Sequence, residues 1–124
     1  MTKSIIVTNN PLVKNRLKEK VFLEYYDVDY LKLLEIVRDK VHLGYKLLTH
    51  PLSGSVKPNE TPYKTVIVSE NSNLDTESLM IIENSIATTK KMLDINNTPP
   101  WNKEILEDFQ VIDLSLIEGV LYRL

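Results

Sequence analysis

The segment from His50 to Tyr63 holds the residue types with the widest chemical range in this chain. It combines an imidazole, two serine hydroxyls around a glycine, and the ammonium group of Lys57. The run Ser53-Gly54-Ser55 could present backbone N–H groups and hydroxyls to an anion, with Lys57 supplying charge. A plain turn is the alternative, because Ser and Gly favour turns and the glycine patterns of phosphate and dinucleotide loops are missing. The segment predicts a loop that binds a small anionic ligand.

His50 is the only residue that suggests acid–base catalysis, because a histidine titrates near neutral pH. A lone histidine before a proline is more often a loop residue whose ring nitrogen bonds a backbone group. A metal site would require His42 to approach His50 and carboxylates to join them, so no metal is expected. No Ser–His–acid triad is assigned, since the Gly-x-Ser-x-Gly pattern is missing.

A second polar run, Thr8-Asn9-Asn10, follows the first predicted strand. Ligands of open α/β sheets bind outside the carboxyl ends of strands, so neighbouring strands one and three would bring this run to the His50 segment. Capping and turn formation are the structural alternative for both asparagines. The predicted ligand-binding residues are Asn9, Asn10, His50, Ser53, Gly54, Ser55 and Lys57.

Short β-branched runs and helical stripes predict the elements that position these residues. Strands are predicted at 4–8, 21–25, 46–49 and 65–69. Helices are predicted to start at Pro11, after Asp27 or Asp29, after Asp75 and after Asn102, the last one interrupted near Asp113. Gly44 lies just past the second helix and is predicted to have a left-handed backbone.

The alternation of strands and helices predicts parallel crossovers. We expect one α/β domain over residues 1–124, a small three-layer αβα sandwich with a mostly parallel four-stranded sheet. Strands two and three are expected on either side of strand one. A loop without a helix leads to the fourth strand, so the direction of that strand is left open.

Composition excludes several classes of function. The chain has 124 residues, a net charge of −2 and no cysteine. The absence of cysteine excludes disulfides, thiolate catalysis and cysteine-based zinc sites. The balanced charge gives no basic stripe for nucleic acid, and no apolar run approaches the roughly 20 residues that span a bilayer. We expect a cytoplasmic protein without a cofactor, a nucleic-acid partner or a membrane segment.

The run Thr8-Asn9-Asn10-Pro11-Leu12-Val13 and the segment from Lys46 to Tyr63 resemble the GrdX family. These are small proteins of anaerobic bacteria, typically encoded beside the glycine, sarcosine or betaine reductase system. The resemblance covers most of the chain, and the stretch from His50 to Tyr63 is its most specific part. It implies a cytoplasmic accessory protein of amino-acid reduction with a reductase component as partner, and it supplies no catalytic residues.

Two classes of function stay open at this point. The first is an accessory or binding protein that engages a small anion or a reductase component. The second is a small enzyme, a hydrolase or transferase of an anionic metabolite, with His50 as acid and base. The first is favoured because an enzyme should show a more complete set of polar groups. The sequence allows a homo-oligomer and does not fix the oligomeric state.

Overall fold

The computed structural model describes residues 3–19 and 22–123. Within these ranges the strands are β1 (Ser4–Thr8), β2 (Leu23–Tyr25), β3 (Tyr45–Leu47) and β4 (Thr65–Glu70). The helices are α1 (Pro11–Leu17), α2 (Tyr30–His42), α3 (Thr76–Ile95) and α4 (Lys103–Leu121). Val21, part of the predicted second strand, lies outside the described residues. None of the described helices is long and apolar enough to cross a membrane.

Side-chain caps start all four helices. Asn10, Asp29, Asp75 and Asn102 each accept a hydrogen bond from a backbone N–H of the first turn, as an N-cap residue does. The predicted interruption of the last helix near Asp113 is wrong, because α4 continues through this residue. The Asp113 carboxylate accepts its hydrogen bonds from side chains of other elements and leaves the backbone of its own helix intact.

The sheet has the strand order β2-β1-β4-β3. The α/β class is confirmed, but the expectation of a mostly parallel sheet is wrong, since β1 and β2 form the single parallel pair among three. β2 neighbours β1, as predicted. β3 runs in the same direction as β1 but is not its neighbour, because β4 lies between them and is antiparallel to both.

The central place of β4 has a physical cause. Antiparallel strands need no helical crossover, so the segment between β3 and β4 can return as an irregular loop. Val66, Ile67 and Val68 are all buried, and a central position covers an apolar strand on both faces. β4 therefore begins at the edge of the sheet where β1 ends.

Successive residues of the strands contribute to two apolar clusters, because neighbouring strand residues point to opposite faces. Ile5 and Val7 pack in one cluster and Ile6 in the other. The first cluster includes Leu33, Leu34 and Val37 of α2 with Ile82 and Ile86 of α3. The second includes Val13 and Leu17 of α1 with Leu114 and Ile117 of α4.

Gly44 ends the turn after α2 with a φ of +103°, which confirms the predicted positive φ. Its N–H donates to the carbonyl of Val41 at 3.0 Å, and its own carbonyl accepts from the N–H of Asn71 at 3.0 Å. A Cβ at this position would lie 3.3 Å from the carbonyl oxygen of Asn71. Both the backbone conformation and the close approach therefore favour glycine.

Candidate functional site

A buried network of polar side chains lies where β1 ends and β4 begins. Thr8 and Thr65 are cross-strand partners, and their hydroxyl oxygens are 2.7 Å apart. The Thr65 hydroxyl donates to Asp113 Oδ2 at 2.6 Å, and Asn10 Nδ2 donates to the same oxygen at 3.0 Å. All four residues are buried, so α4 brings a carboxylate into the interior and the sheet edge holds it with two hydrogen bonds.

Lys64 immediately precedes β4 and is only 4% exposed. Its ammonium group donates to the carbonyl oxygen of Ser53 at 2.8 Å and to the Ser53 hydroxyl at 2.9 Å. An ammonium group has three N–H donors, so one donor of Lys64 has no protein acceptor among the described residues. The buried cation is therefore bound to the loop that covers it.

Lys64 and Asp113 line the same two small cavities, together with Ser53 and Leu116. Each cavity has a volume of about 20 Å³, which is room for about one water molecule. Within the described part of the chain, the two charged groups form neither a hydrogen bond nor a direct ion pair. We name this arrangement, comprising Ser53, Lys64, Asp113 and Leu116, the Lys64 cleft.

Burial shifts both ionisable groups of the Lys64 cleft toward their neutral forms. Desolvation lowers the pKa of the Lys64 ammonium, and the opposing charge of Asp113 offsets part of this effect. Desolvation raises the pKa of Asp113 more strongly than its hydrogen bonds from Thr65 and Asn10 and the charge of Lys64 lower it. Perturbed groups of opposite type beside a cavity are common at functional sites.

The loop cover of the Lys64 cleft depends on Gly54. This glycine has a φ of +99°, and a Cβ there would lie 2.8 Å from Cδ1 of Leu116. The loop therefore packs directly on α4 at Leu116, which is still 42% exposed. Ser53 and Gly54 are exposed and line the cleft, so they lie between the buried ammonium and solvent, whereas Ser55 is exposed and does not line it.

Asn9 and Asn10 have complete structural roles. Asn9 Nδ2 donates to the carbonyls of Val28 and Pro62, both at 2.9 Å, and its Oδ1 accepts from the backbone N–H of Lys64 at 2.8 Å. Asn10 caps α1 through its Oδ1, while its Nδ2 binds Asp113. Asn9 thus holds the backbone of Lys64 and Asn10 holds the carboxyl group of Asp113. Their predicted contact with a ligand stays a prediction.

The other predicted site residues are divided among different places. Ser53 and Gly54 line the Lys64 cleft, whereas His50 does not. His50 is exposed, and its Nδ1 accepts from the backbone N–H of Leu52 at 3.0 Å, which matches the alternative of a loop residue. Lys57 lines a separate cleft with Glu60 and Trp101. The structure therefore does not bring Asn9, His50, Ser53 and Lys57 into one pocket.

Lys64 and Asp113 are the two chemically important residues that the sequence prediction misses. Asp113 lies four residues before buried Ile117, so the two share one face of α4. A carboxylate at such a position indicates a buried polar group, but it also fits a helix break, which is the prediction made above. Lys64 carries no comparable signal, because a lysine beside a strand is usually solvated.

Carboxylates and imidazoles do not gather into a metal-binding group anywhere in the described part of the chain: no set of three or more potential ligands occurs there. Asp113 is instead surrounded by hydroxyl and amide donors. The arrangement at the sheet edge places one ammonium donor, one carboxyl group and an exposed serine around the two small cavities.

Comparison with known proteins gives one match. Residues 5–122 match the family described as GrdX-like protein, which is nearly the whole chain. The comparisons with curated proteins and with solved structures returned no match.

Proposed function

The chain belongs to the GrdX-like protein family, and on this basis we propose that it is an accessory protein that binds a small anion in the Lys64 cleft. We further propose, from the family, that it acts in the cytoplasm beside a glycine, sarcosine or betaine reductase, with a reductase component as its protein partner. The observation that carries the anion proposal is the buried ammonium of Lys64, which lines a cavity with Asp113 and has one donor without a protein acceptor among the described residues.

A carboxylate or phosphate oxygen would accept the remaining N–H of Lys64. The raised pKa of Asp113 supports this proposal, because a protonated carboxyl group can donate a hydrogen bond to an anion that an ionised one would repel. Anion binding would favour the protonated forms of both Lys64 and Asp113. The binding reaction should therefore take up protons from solvent at any pH where either group is partly deprotonated in the free protein.

The cavities at the Lys64 cleft have room for about one water molecule each, so a larger anion must displace the cover. We expect Ser53 to move, because it is exposed and its two hydrogen bonds occupy the Lys64 ammonium that the anion would bind. The Ser53-Gly54-Ser55 run would then contact the ligand from the solvent side. In this proposal the positive charge that accompanies Ser53-Gly54-Ser55 is Lys64. Lys57, which the sequence predicted for this role, lines a separate cleft.

The alternative of an enzyme with His50 as acid and base has little support. His50 is exposed and lies outside the cavities of the Lys64 cleft, and its Nδ1 is engaged by the N–H of Leu52. A general base must reach the reacting atom directly or through one water molecule. A binding protein needs only the groups that the Lys64 cleft provides.

The proposal is tested by calorimetric titration of the protein with inorganic phosphate, sulfate and acetate. The titration is repeated in two buffers of different ionisation enthalpy, so that proton uptake is measured directly. We expect saturable binding of at least one anion with net proton uptake, and an unchanged affinity in His50→Ala. Loss of binding in His50→Ala would show that the anion binds at the His50 imidazole and not in the Lys64 cleft. Absence of binding by all three anions would contradict the proposal.

A further inference from the structure

A second cleft opens between the turn at residues 57–60 and the connection from α3 to α4. Its volume is about 360 Å³, much larger than the cavities of the Lys64 cleft. A volume of this size is typical of a site for a small organic molecule. We name it the Trp101 cleft. It is lined by Lys57, Asn59, Glu60, Asn96, Asn97, Pro99 and Trp101.

The aromatic wall of this cleft is held in place by the loop. Trp101 Nε1 donates to the carbonyl of Glu60 at 2.7 Å. The indole also packs against the ring of Phe109 on α4, with centroids 5.7 Å apart at an interplanar angle of 54°. Two contacts therefore hold the indole, one on the loop and one on α4.

Asn59 forms the inner wall and has an unmatched acceptor. Its Nδ2 donates to the carbonyls of Met92 and Asn96, both at 3.2 Å, at the C-terminal end of α3. These two carbonyls fix the orientation of the amide, because a flipped amide would place oxygen against oxygen. Asn59 Oδ1 is then buried without a hydrogen-bond partner from the protein, the only such side-chain atom among the described residues.

The charges around the cleft are of opposite sign and are not paired with each other. Lys57 and Glu60 belong to one turn, in which the Glu60 N–H donates to the Lys57 carbonyl at 2.9 Å. No ion pair joins their side chains in the described structure. The C-terminal end of α3 adds a partial negative charge beside Asn96, because the helix dipole is negative there.

We propose that the Trp101 cleft binds a small zwitterion, a molecule that carries an ammonium and a carboxylate group a few bonds apart. The carboxylate would bind the ammonium of Lys57, which lines the cleft. The ammonium would bind the carboxylate of Glu60, which lines the same cleft.

Each charge of the cleft disfavours a ligand that carries only the same charge. A plain anion would meet the carboxylate of Glu60, and a plain cation would meet the ammonium of Lys57. Like charges brought together on binding oppose the association, so a ligand with both charges is favoured over a ligand with one. This inference is independent of the proposed anion site, because the residues lining the two clefts do not overlap.

Trp101 provides a direct readout, since it is the only tryptophan in the chain. The probes are β-alanine, a zwitterion, with propylamine and propanoate as analogues that each keep one of its charges. Binding is followed by indole fluorescence and by the single indole N–H signal in NMR spectra. We expect a saturable change with β-alanine, and affinities at least about tenfold weaker for both analogues, since tenfold corresponds to one charged hydrogen bond. Equal affinity for β-alanine and either analogue, or no saturable change with β-alanine, would overturn the proposal.

Two charge-removing variants locate the groups of the ligand. Lys57→Gln should weaken β-alanine binding and leave the affinity for propylamine unchanged or higher. Glu60→Gln should also weaken β-alanine binding, and should leave the affinity for propanoate unchanged or higher. Both residues are exposed, so both variants should fold. Lys91→Gln is the matched control, because Lys91 is exposed on α3 and does not line the cleft. If both cleft variants bind β-alanine as tightly as Lys91→Gln does, the zwitterion site is refuted.

Discussion

Replacing Asn9 with alanine separates a structural role from a ligand-binding role at the sheet edge. Asn9 is 3% exposed and makes three hydrogen bonds to the backbones of Val28, Pro62 and Lys64. These partners belong to three different segments of the chain, so one amide joins the end of β1 to the loop and to the approach to α2. The substitution removes all three bonds at once.

The expected loss of stability follows from the groups that the substitution leaves unpaired. One buried N–H and two carbonyls lose their partners, and each unsatisfied buried group costs about 1–3 kcal/mol. Carbonyls keep a second lone pair, so the lower part of this range applies and the total is about 3–5 kcal/mol. A domain of 124 residues is stable by about 6–18 kcal/mol, so the loss is a large fraction of the total. It corresponds to a fall in Tm of about 10–20 °C.

The assay is chemical denaturation followed by circular dichroism, with Asn15→Ala as the control. Asn15 is exposed on α1, so its substitution should change the stability by less than about 0.5 kcal/mol. An Asn9→Ala variant as stable as the Asn15→Ala control would refute the structural role. If that variant also failed to bind an anion, Asn9 would instead be a ligand-binding residue.

Two further predictions concern backbone conformation and pH. Gly44→Val should lower the free energy of unfolding by about 1–2 kcal/mol, because Gly44 has a positive φ and lies close to Asn71. Gly119→Ala, in α4 with no atom near the added Cβ, should instead raise it by up to about 1 kcal/mol, and equal thermal melts for the two variants would contradict this reasoning. Burial raises the pKa of Asp113, so the folded protein retains a proton that the unfolded chain releases. The free energy of unfolding of wild type, measured relative to that of Asp113→Asn, should therefore fall as pH rises through the raised pKa. If the difference between the two free energies stays constant or grows with pH, this reasoning is contradicted.

Local signals predicted most of the elements because they act over a few residues. The β-branched run of β1 and the caps at Asn10, Asp75 and Asn102 are chemical features of the local chain, and the structure confirms them. Gly44 belongs to the same class, since its positive φ depends on the end of one helix.

The strand order could not be predicted from such signals. The segment after β3 has no helix, so the sequence left the direction of β4 open, and nothing local states that β4 enters between β1 and β3. The choice depends on which strand is best covered on both faces, a property of the whole sheet. The prediction that strands one and three are neighbours is wrong for this reason.

The sequence prediction and the Lys64 cleft share Ser53 and Gly54 but differ in the other side chains. Ser53 binds the buried ammonium of Lys64. Asn9 instead accepts from the backbone N–H of Lys64, and His50 accepts from the backbone N–H of Leu52 within the loop. Lys64 and Asp113 are 49 residues apart in sequence, and only the packing of α4 on the sheet edge brings them to shared cavities. Their perturbed pKa values arise from burial, which no local pattern encodes.

The most direct test of the proposed function is Lys64→Met, compared with Lys18→Met as an exposed control. Lys64→Met removes the desolvation cost of a buried ammonium, and exposed Ser53 can return its two hydrogen bonds to water, so we expect the variant to fold. We predict that Lys64→Met folds and no longer responds to the anion that stabilises wild type and Lys18→Met. A variant that still binds this anion, or one that is strongly destabilised while wild type responds to no anion, would show that Lys64 only holds the loop in place.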